Sequence, residues 1–261
     1  MRPVVVIPAD VKLMNMTTWV LGAAFVVLCL MTATRTLARL PAFDIKGIFV
    51  GGQVSHMNAA TLRANVTTHL AGTFFTVDLA RVRAAFEAVP WVRRAVVRRD
   101  FPNRLRVDLQ EHQAVAYWGT DSEPRLLNSF GEVFEANLGE IEQDMLPRLN
   151  GPDGQAADVW AMYRQINGLF SEMDLTIEAL ELSKGGSWRV FLDTGAVVEL
   201  GRGNAAEVMA RVTRFLETLT QVVSRYGRKP AAVESADLRH DNGYAIRMQG
   251  VTTVVPVVPK K

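Results

Sequence analysis

Cysteine is nearly absent. Cys29 is the only one in 261 residues, and it lies inside an apolar run. No disulfide can close within the chain and no multi-cysteine metal site can form, so any domain outside the cytoplasm must rely on its core alone. A dominant charge is missing too. Lys and Arg total 29 and Asp and Glu 27, a net charge of +2, which gives no general case for nucleic acid. The four histidines, His56, His69, His112 and His240, include no pair at metal-ligand spacing. Neither Ser129 nor Ser183 lies in a G-x-S-x-G elbow. Gly201-Arg202-Gly203 lacks the third glycine and the downstream acid of a dinucleotide site, and reads as a tight turn. Glu111, Glu132 and Glu135 fall on alternating patterns and read as solvated faces rather than a carboxylate pair. No catalytic, metal or cofactor constellation emerges, which argues against an enzyme.

Charge is absent in another sense between Lys12 and Arg35, where the run LMNMTTWVLGAAFVVLCLMTAT carries none. At 1.5 Å per residue such a helix crosses a hydrocarbon core of roughly 30 Å. We expect a transmembrane helix over 14–34, preceded by a tail over 1–13. Trp19 suits an interface. The run exceeds the apolar core of a cleaved signal peptide and ends without a small-x-small site, so a retained anchor is expected. Apolar residues fill every face, unlike a surface helix of a soluble protein. Orientation stays open: Arg2 and Lys12 precede the span, opposed by Asp10, and Arg35 and Arg39 follow it. Gly22-Ala23-Ala24 is the place where helix pairing would be sought.

Beyond the span, Phe43–Val50 reads as a strand broken by Gly51-Gly52. A helix capped by Asn58 follows, with Leu62, Val66 and Leu70 on one face. Asp78 caps a second helix carrying Leu79, Val82, Phe86 and Val89, stopped by Pro90. Val92–Arg99 and the alternating Leu105, Val107 and Leu109 form a hairpin across Asp100-Phe101-Pro102-Asn103. Its arginines (Arg93, Arg94, Arg98, Arg99, Arg104, Arg106) read first as a solvated sheet face, and second as a surface for an acidic partner or anionic headgroups. Farther on, a helix from Ala156 to Phe170 presents Val159, Tyr163, Ile166 and Phe170. Leu175–Ser183 reads as a strand with Ile177, Ala179 and Leu182 toward the core, and Asp193-Thr194-Gly195 turns between Trp188–Leu192 and Ala196–Leu200. Asn204 and Glu207 form a capping box for a helix with Val208, Val212, Phe215, Leu219 and Val222 in its stripe, ended by Gly227 and Pro230. Ala231–Arg239 and Tyr244–Met248 read as a terminal hairpin across Asp241-Asn242-Gly243, where Asn-Gly predicts a type I′ turn. The fold class is therefore α+β.

Several strings resemble the FtsQ/DivIB family of bacterial division proteins. Pro90 to Glu111 is similar to its P-W-V-x-x-A-x-V-x-R-x-F-P-x-x-L-x-V-x-L-x-E phrase. Leu126-Leu127-Asn128, Gly131 and Val133-Phe134 resemble the hairpin that opens its β domain. Leu146-Pro147-Arg148-Leu149-x-Gly151 and Asp237–Arg247 (DLRHDNGYAIR) match further family strings. The resemblance implies a POTRA domain over 43–112, a mainly antiparallel C-terminal β domain with flanking helices over 113–250, and a flexible tail over 251–261. It implies a non-enzymatic division scaffold of the inner membrane, tail inside and bulk periplasmic at the septum. Its implied partners are FtsB and FtsL, with other division proteins near the POTRA domain and span. An exposed edge strand can accept a partner strand through unpaired backbone groups. On that basis the implied partner-binding residues are Arg239, His240, Asp241, Asn242, Gly243, Tyr244, Ile246 and Met248. Lys184 is added as a cation for an acidic partner residue, although a surface lysine is usually just solvated. The alternative, a POTRA component of protein transport or outer-membrane assembly, is expected to show repeated units or a barrel; one unit is visible here, and no run of alternating strands with aromatic girdles.

Overall fold

The computed structural model describes residues 9–38, 40–53, 62, 72–120, 124–141, 146–240 and 242–252. The helix expected after Asn58, including Val66 and Leu70, lies outside them, as do His56, His69, Asp241 and most of the C-terminal tail. The chain divides into two compact units, residues 1–111 and 112–261.

The first unit begins with helix α1 (Ala9–Ala38), which extends past the apolar run at both ends. Asp10 in its first turn and Arg35 in its last complement the helix dipole. Its apolar window is not buried by any of the described residues, and it is long and apolar enough to cross a membrane once. The threonines within it do not leave polar groups stranded. The hydroxyls of Thr17, Thr18, Thr32 and Thr34 each donate to a carbonyl three or four residues back.

A three-stranded sheet follows, ordered β1-β3-β2, from β1 (Gly47–Gln53), β2 (Val92–Asp100) and β3 (Arg104–Glu111). β2 and β3 are antiparallel, whereas β1 runs parallel to β3. Helix α2 (Leu79–Glu87) starts at Asp78, whose carboxylate accepts the N–H groups of Ala80 and Arg81. Val82 and Phe86 of α2 pack with Leu62, Leu105, Val107 and Leu109 in one core. The expected break at Gly51-Gly52 does not occur, because both glycines belong to β1. Gly52 has φ of +119°, and a Cβ there would come within 2.2 Å of the Leu109 carbonyl oxygen. Glycine lets β1 approach β3 closely at this point rather than ending the strand.

In the second unit, nine strands of the described residues make one sheet, in the order β12-β11-β10-β9-β8-β7-β4-β5-β6. They are β4 (Ala114–Trp118), β5 (Arg125–Asn128), β6 (Val133–Phe134), β7 (Arg148–Asn150), β8 (Ile177–Leu182), β9 (Ser187–Leu192), β10 (Val197–Arg202), β11 (Val233–Asp237) and β12 (Ala245–Met248). Most neighbours are antiparallel, but β4–β7, β7–β8 and β10–β11 are parallel. Two of these parallel pairs have a helix between them in sequence. Helix α3 (Ala156–Ser171) crosses from β7 to β8, and α4 (Ala205–Ser224) from β10 to β11.

Both helices cover the buried face of the sheet. Val159, Ile166 and Phe170 of α3 and Val208, Val212, Phe215 and Leu219 of α4 share one core with Leu180, Val190 and Val198. Asn204 caps α4 through a complete capping box with Glu207. Two expectations shift by one residue. A register shift between Ile177 and Ala179 reverses the alternation of β8, so Leu180 is buried and Ala179 is half-exposed on the other face. On α4, Val223 is buried and Val222 lies half-exposed at the stripe's margin.

The glycine argument can be tested. Gly52→Ala should destabilise the first unit by about 2 kcal/mol or more, because it combines a left-handed φ with a backbone clash. Gly51→Ala, whose Cβ would meet only side-chain atoms at ordinary distances, should stay within about 1 kcal/mol. Calorimetric melting of the full chain in detergent separates the two.

Candidate functional site

Among the described residues β12 is the outermost strand of the sheet, paired on one side only, with β11. Its partners across the ladder are Asp237 for Ala245, Ala236 for Ile246 and Ser235 for Arg247. The N–H of Gln249 donates to the Ala232 carbonyl at 2.9 Å. Because antiparallel strands alternate the direction of their backbone groups, Ala245 and Arg247 turn theirs toward β11. Tyr244, Ile246 and Met248 turn theirs outward, where the Met248 carbonyl accepts from the Val251 N–H at 3.3 Å and no strand among the described residues pairs with the others. The same alternation sends the side chains of these three residues inward, under α4.

That inward packing holds the strand in place. Met248 is buried, and Ile246 and Tyr244 pack against the main core. The Tyr244 ring stands edge-on to Phe215 at 5.0 Å, and its hydroxyl pairs with the Thr218 hydroxyl at 2.8 Å. A groove of about 490 Å³ runs beside the free edge, lined by Val222 and Tyr226 from the end of α4, by Ile246, Arg247 and Met248, and by Val251 and Thr252. On the opposite face a second groove of about 310 Å³ lies over Val197, Glu199, Asp237 and Arg247.

The connection from β11 to β12 differs from a two-residue hairpin. β11 ends at Asp237 and β12 starts at Ala245, and Gly243 does not have the positive φ that a type I′ turn demands. The Asn-Gly pair therefore sits inside a longer loop. A fork between neighbours organises the start of that loop. Asp237 accepts from the Arg239 backbone N–H at 3.0 Å, from Nε at 2.8 Å and from Nη2 at 2.6 Å. These bonds from the Arg239 guanidinium hold the Asp237 carboxyl down at about 2, against partial burial, with His240 adding a weaker attraction. The Arg239 guanidinium is raised in turn by Asp237. Gly201 makes room for this arrangement. It has φ of +80°, and a Cβ on it would come within 2.9 Å of Arg239 Cγ.

Of the implied residues, Arg239, His240, Asn242 and Gly243 sit in the loop and Tyr244, Ile246 and Met248 lie at or on β12; Asp241 lies outside the described residues. Lys184 is exposed in the β8–β9 turn. Its neighbour Gly185 lies against Arg202 at the end of β10, and Gly201 of β10 lies against Arg239. Lys184 thus stands at the same end of the sheet as the β11–β12 loop. The residues that the resemblance did not supply are the supports: Asp237, Gly201, Thr218 and Phe215, together with Val222 and Tyr226 beside the edge. Tyr226 carried one visible signal, a large aromatic just past an amphipathic stripe. Among the described residues no three His, Cys, Asp or Glu gather closely enough to hold a metal ion.

An apolar helix fit to span a membrane once, a small strand-and-helix unit and a mixed sheet fit a single-pass membrane protein that carries folded α+β units. Two family models divide the chain: an FtsQ-type POTRA domain over residues 43–112, and the C-terminal region of cell division protein FtsQ/DivIB over residues 116–239. Similar relatives include the cell division protein FtsQ of Burkholderia pseudomallei, 39% identical with 93% of this chain and 94% of the relative covered, and that of Thiomonas arsenitoxydans, 36% identical with 94% and 90% covered. The cell division protein FtsQ of Bordetella pertussis is 33% identical, with 92% of each covered. The chain belongs to the FtsQ/DivIB family of cell division proteins.

The Asp237–Arg239 fork has a testable pH signature. A carboxyl whose folded pKa is lowered contributes stability that is full above its unfolded value and is lost as pH falls through the folded one. The loop should therefore keep its order across pH 5 to 8 and lose the fork only near pH 2. An NMR titration of the Asp237 carboxyl should give a midpoint of about 2. Arg239→Ala should return it toward the ordinary 3.8.

Proposed function

We propose that this chain is a non-enzymatic scaffold of cell division. It links early cytoplasmic division components to the periplasmic machinery of septal synthesis by binding FtsB–FtsL at the free edge of β12. In this reading residues 1–13 are the cytoplasmic tail, 14–34 the transmembrane segment, 43–112 the POTRA domain and 113–250 the β domain; the tail expected over 251–261 lies mostly outside the described residues. The bulk of the chain is periplasmic, at the septum of the inner membrane. Other division proteins meet the POTRA domain and the span.

The observation that supports this reading is the edge of β12, unpaired among the described residues, beside a groove of mixed polarity to which Val222, Tyr226 and Met248 contribute apolar surface. A partner strand gains main-chain hydrogen bonds from the outward groups of Tyr244 and Ile246 and from the Met248 N–H. A following helix or side chain gains apolar contact with Val222 and Tyr226. Lys184 provides an exposed cation at the same end of the sheet as the β11–β12 loop for an acidic partner segment, whereas the Arg239 charge is already matched by Asp237. Single contacts of this kind are modest, but confinement of both chains to one membrane raises their effective concentration, so a modest interface suffices to assemble a complex.

Proline at position 246 tests the edge directly. Ile246→Pro removes an outward N–H while leaving the inward bonds of Ala245 and Arg247 to β11 available. Full-length protein in detergent should lose at least about tenfold in affinity for FtsB–FtsL, equal to about 1.4 kcal/mol. Glu178→Ala, at an exposed position of β8 within the sheet and away from the edge, should change affinity by less than about threefold. Equal binding by wild type and Ile246→Pro, with β12 still folded, contradicts the edge-pairing reading.

A further inference from the structure

One surface of the first unit is not used by the division reading. Four phenylalanines gather near the end of α1. Phe43 and Phe75 meet edge-on at 4.9 Å, Phe74 and Phe75 at 5.2 Å, and Phe74 and Phe101 at 6.2 Å. Phe74 is buried, yet Phe75 is 49% exposed and Phe101 75% exposed, with Leu40 exposed beside them in sequence. Large aromatic rings left in water at a cluster's rim mark a contact surface rather than a core.

The cluster is tied to the end of the apolar helix. The Thr73 hydroxyl donates to the Ala38 carbonyl at 2.5 Å, and the Phe74 N–H donates to the Phe43 carbonyl at 2.7 Å. Arg99 fixes the loop from its other side, with Nε donating to the Phe74 carbonyl at 2.7 Å and Nη2 to that of Val77 at 3.0 Å. The exposed rings thus sit on backbone pinned to α1 and to β2. The uncharged run ends at Thr34, four residues before Ala38, a rise of about 6 Å along a helix. The interfacial layer on each side of a roughly 30 Å hydrocarbon core is about 5–8 Å thick. Thr73, bonded to Ala38, therefore lies at headgroup depth when α1 spans. The charged side chains at this end lean basic. Arg35 in the last turn of α1, Lys46 and Arg104 beside the β2–β3 turn, and Arg106 outnumber Asp44 and Asp100, with Asp100 3.8 Å from Arg106. The rings supply attraction to a leaflet of any charge, and the basic surplus adds to it where the lipid is anionic.

We propose that Phe75 and Phe101, with Leu40, dock the first unit onto the bilayer leaflet from which α1 emerges. The rings enter the interfacial layer and hold the unit against the membrane, so that it does not swing freely on the span. This inference rests on the reading of α1 as a membrane span.

Spin-label accessibility tests it in the full chain, reconstituted in phosphatidylcholine vesicles with Cys29→Ala as background. Labels are placed one at a time at Phe101→Cys, at Val26→Cys within the span, and at Ala88→Cys. Ala88 lies near the opposite end of β2 from Phe101. Power saturation compares collision with oxygen, which partitions into lipid, and with a water-soluble nickel chelate. The label at 101 should collide severalfold more with oxygen than with the chelate, as the label at 26 does, whereas that at 88 should show the reverse. Phe75→Ser should lower the oxygen preference at 101, because it removes the neighbouring ring. A label at 101 as open to the chelate as that at 88, with 26 still in lipid, overturns the docking alone. A label at 101 shielded from both relaxants assigns the patch to a second copy of the chain and overturns it as well. A chelate-accessible label at 26 removes the span reading and the docking together.

Discussion

A strand within a sheet has two hydrogen-bonding edges, and β12 uses one. Among the described residues no strand pairs with its outward groups, although the Met248 carbonyl accepts from the Val251 N–H at 3.3 Å; an open edge at the end of a long mixed sheet is a condition that natural proteins usually blunt or cover. The rest of the second unit is arranged so that this edge stays ordered while unpaired. Tyr244 anchors the start of the strand under α4 through Phe215 and Thr218. Met248 buries its far end. The Asp237–Arg239 fork, lodged over Gly201, shapes the loop that delivers the chain to it. An edge that is ordered in advance spares a partner strand part of the conformational cost of pairing.

The first unit obeys a different constraint. Among the described residues α1 finds no apolar partner, and its length and composition fit a single membrane span. The small domain after it is joined to the end of that helix by a hydrogen bond from Thr73 to Ala38, not by a loose linker alone. Anchor and first domain thus form a continuous structural element within one unit. Arg99, one of six arginines crowding a single hairpin, spends its guanidinium on backbone carbonyls of the neighbouring loop. Arg106 lies over the Phe49 ring. Much of that arginine cluster therefore has local structural work, which a reading of charge density alone does not reveal.

What could be read from the residues follows the range of the interaction concerned. The Asp78 cap, the Asn204–Glu207 capping box and the alternation of Leu105, Val107 and Leu109 are local, and each is where its pattern places it. Gly52 was misjudged because its reason lies in β3, at Leu109, far along the chain. The bulge that turns Ala179 out and Leu180 in is likewise set by the neighbouring strand. β7 is three residues long, too short to display any period. The parallel pairs left a trace, a helix between β7 and β8 and another between β10 and β11, which calls for parallel pairing once it is noticed. At the candidate site, the strand and its position at the sheet edge followed from family strings. The fork that shapes the loop, and the groove beside α4, depend on side chains brought together only by the fold.

The central claim is that the outward backbone groups of β12 are the working surface of the second unit. Residue-resolved amide hydrogen exchange with and without FtsB–FtsL tests it most directly. In the free protein, the amides of Ala245 and Arg247 should already be protected by β11, and those of Tyr244, Ile246 and Met248 should exchange faster. On complex formation the second set should slow markedly while the first changes little. A complex that forms with the exchange of Ile246 and Met248 unchanged contradicts the account.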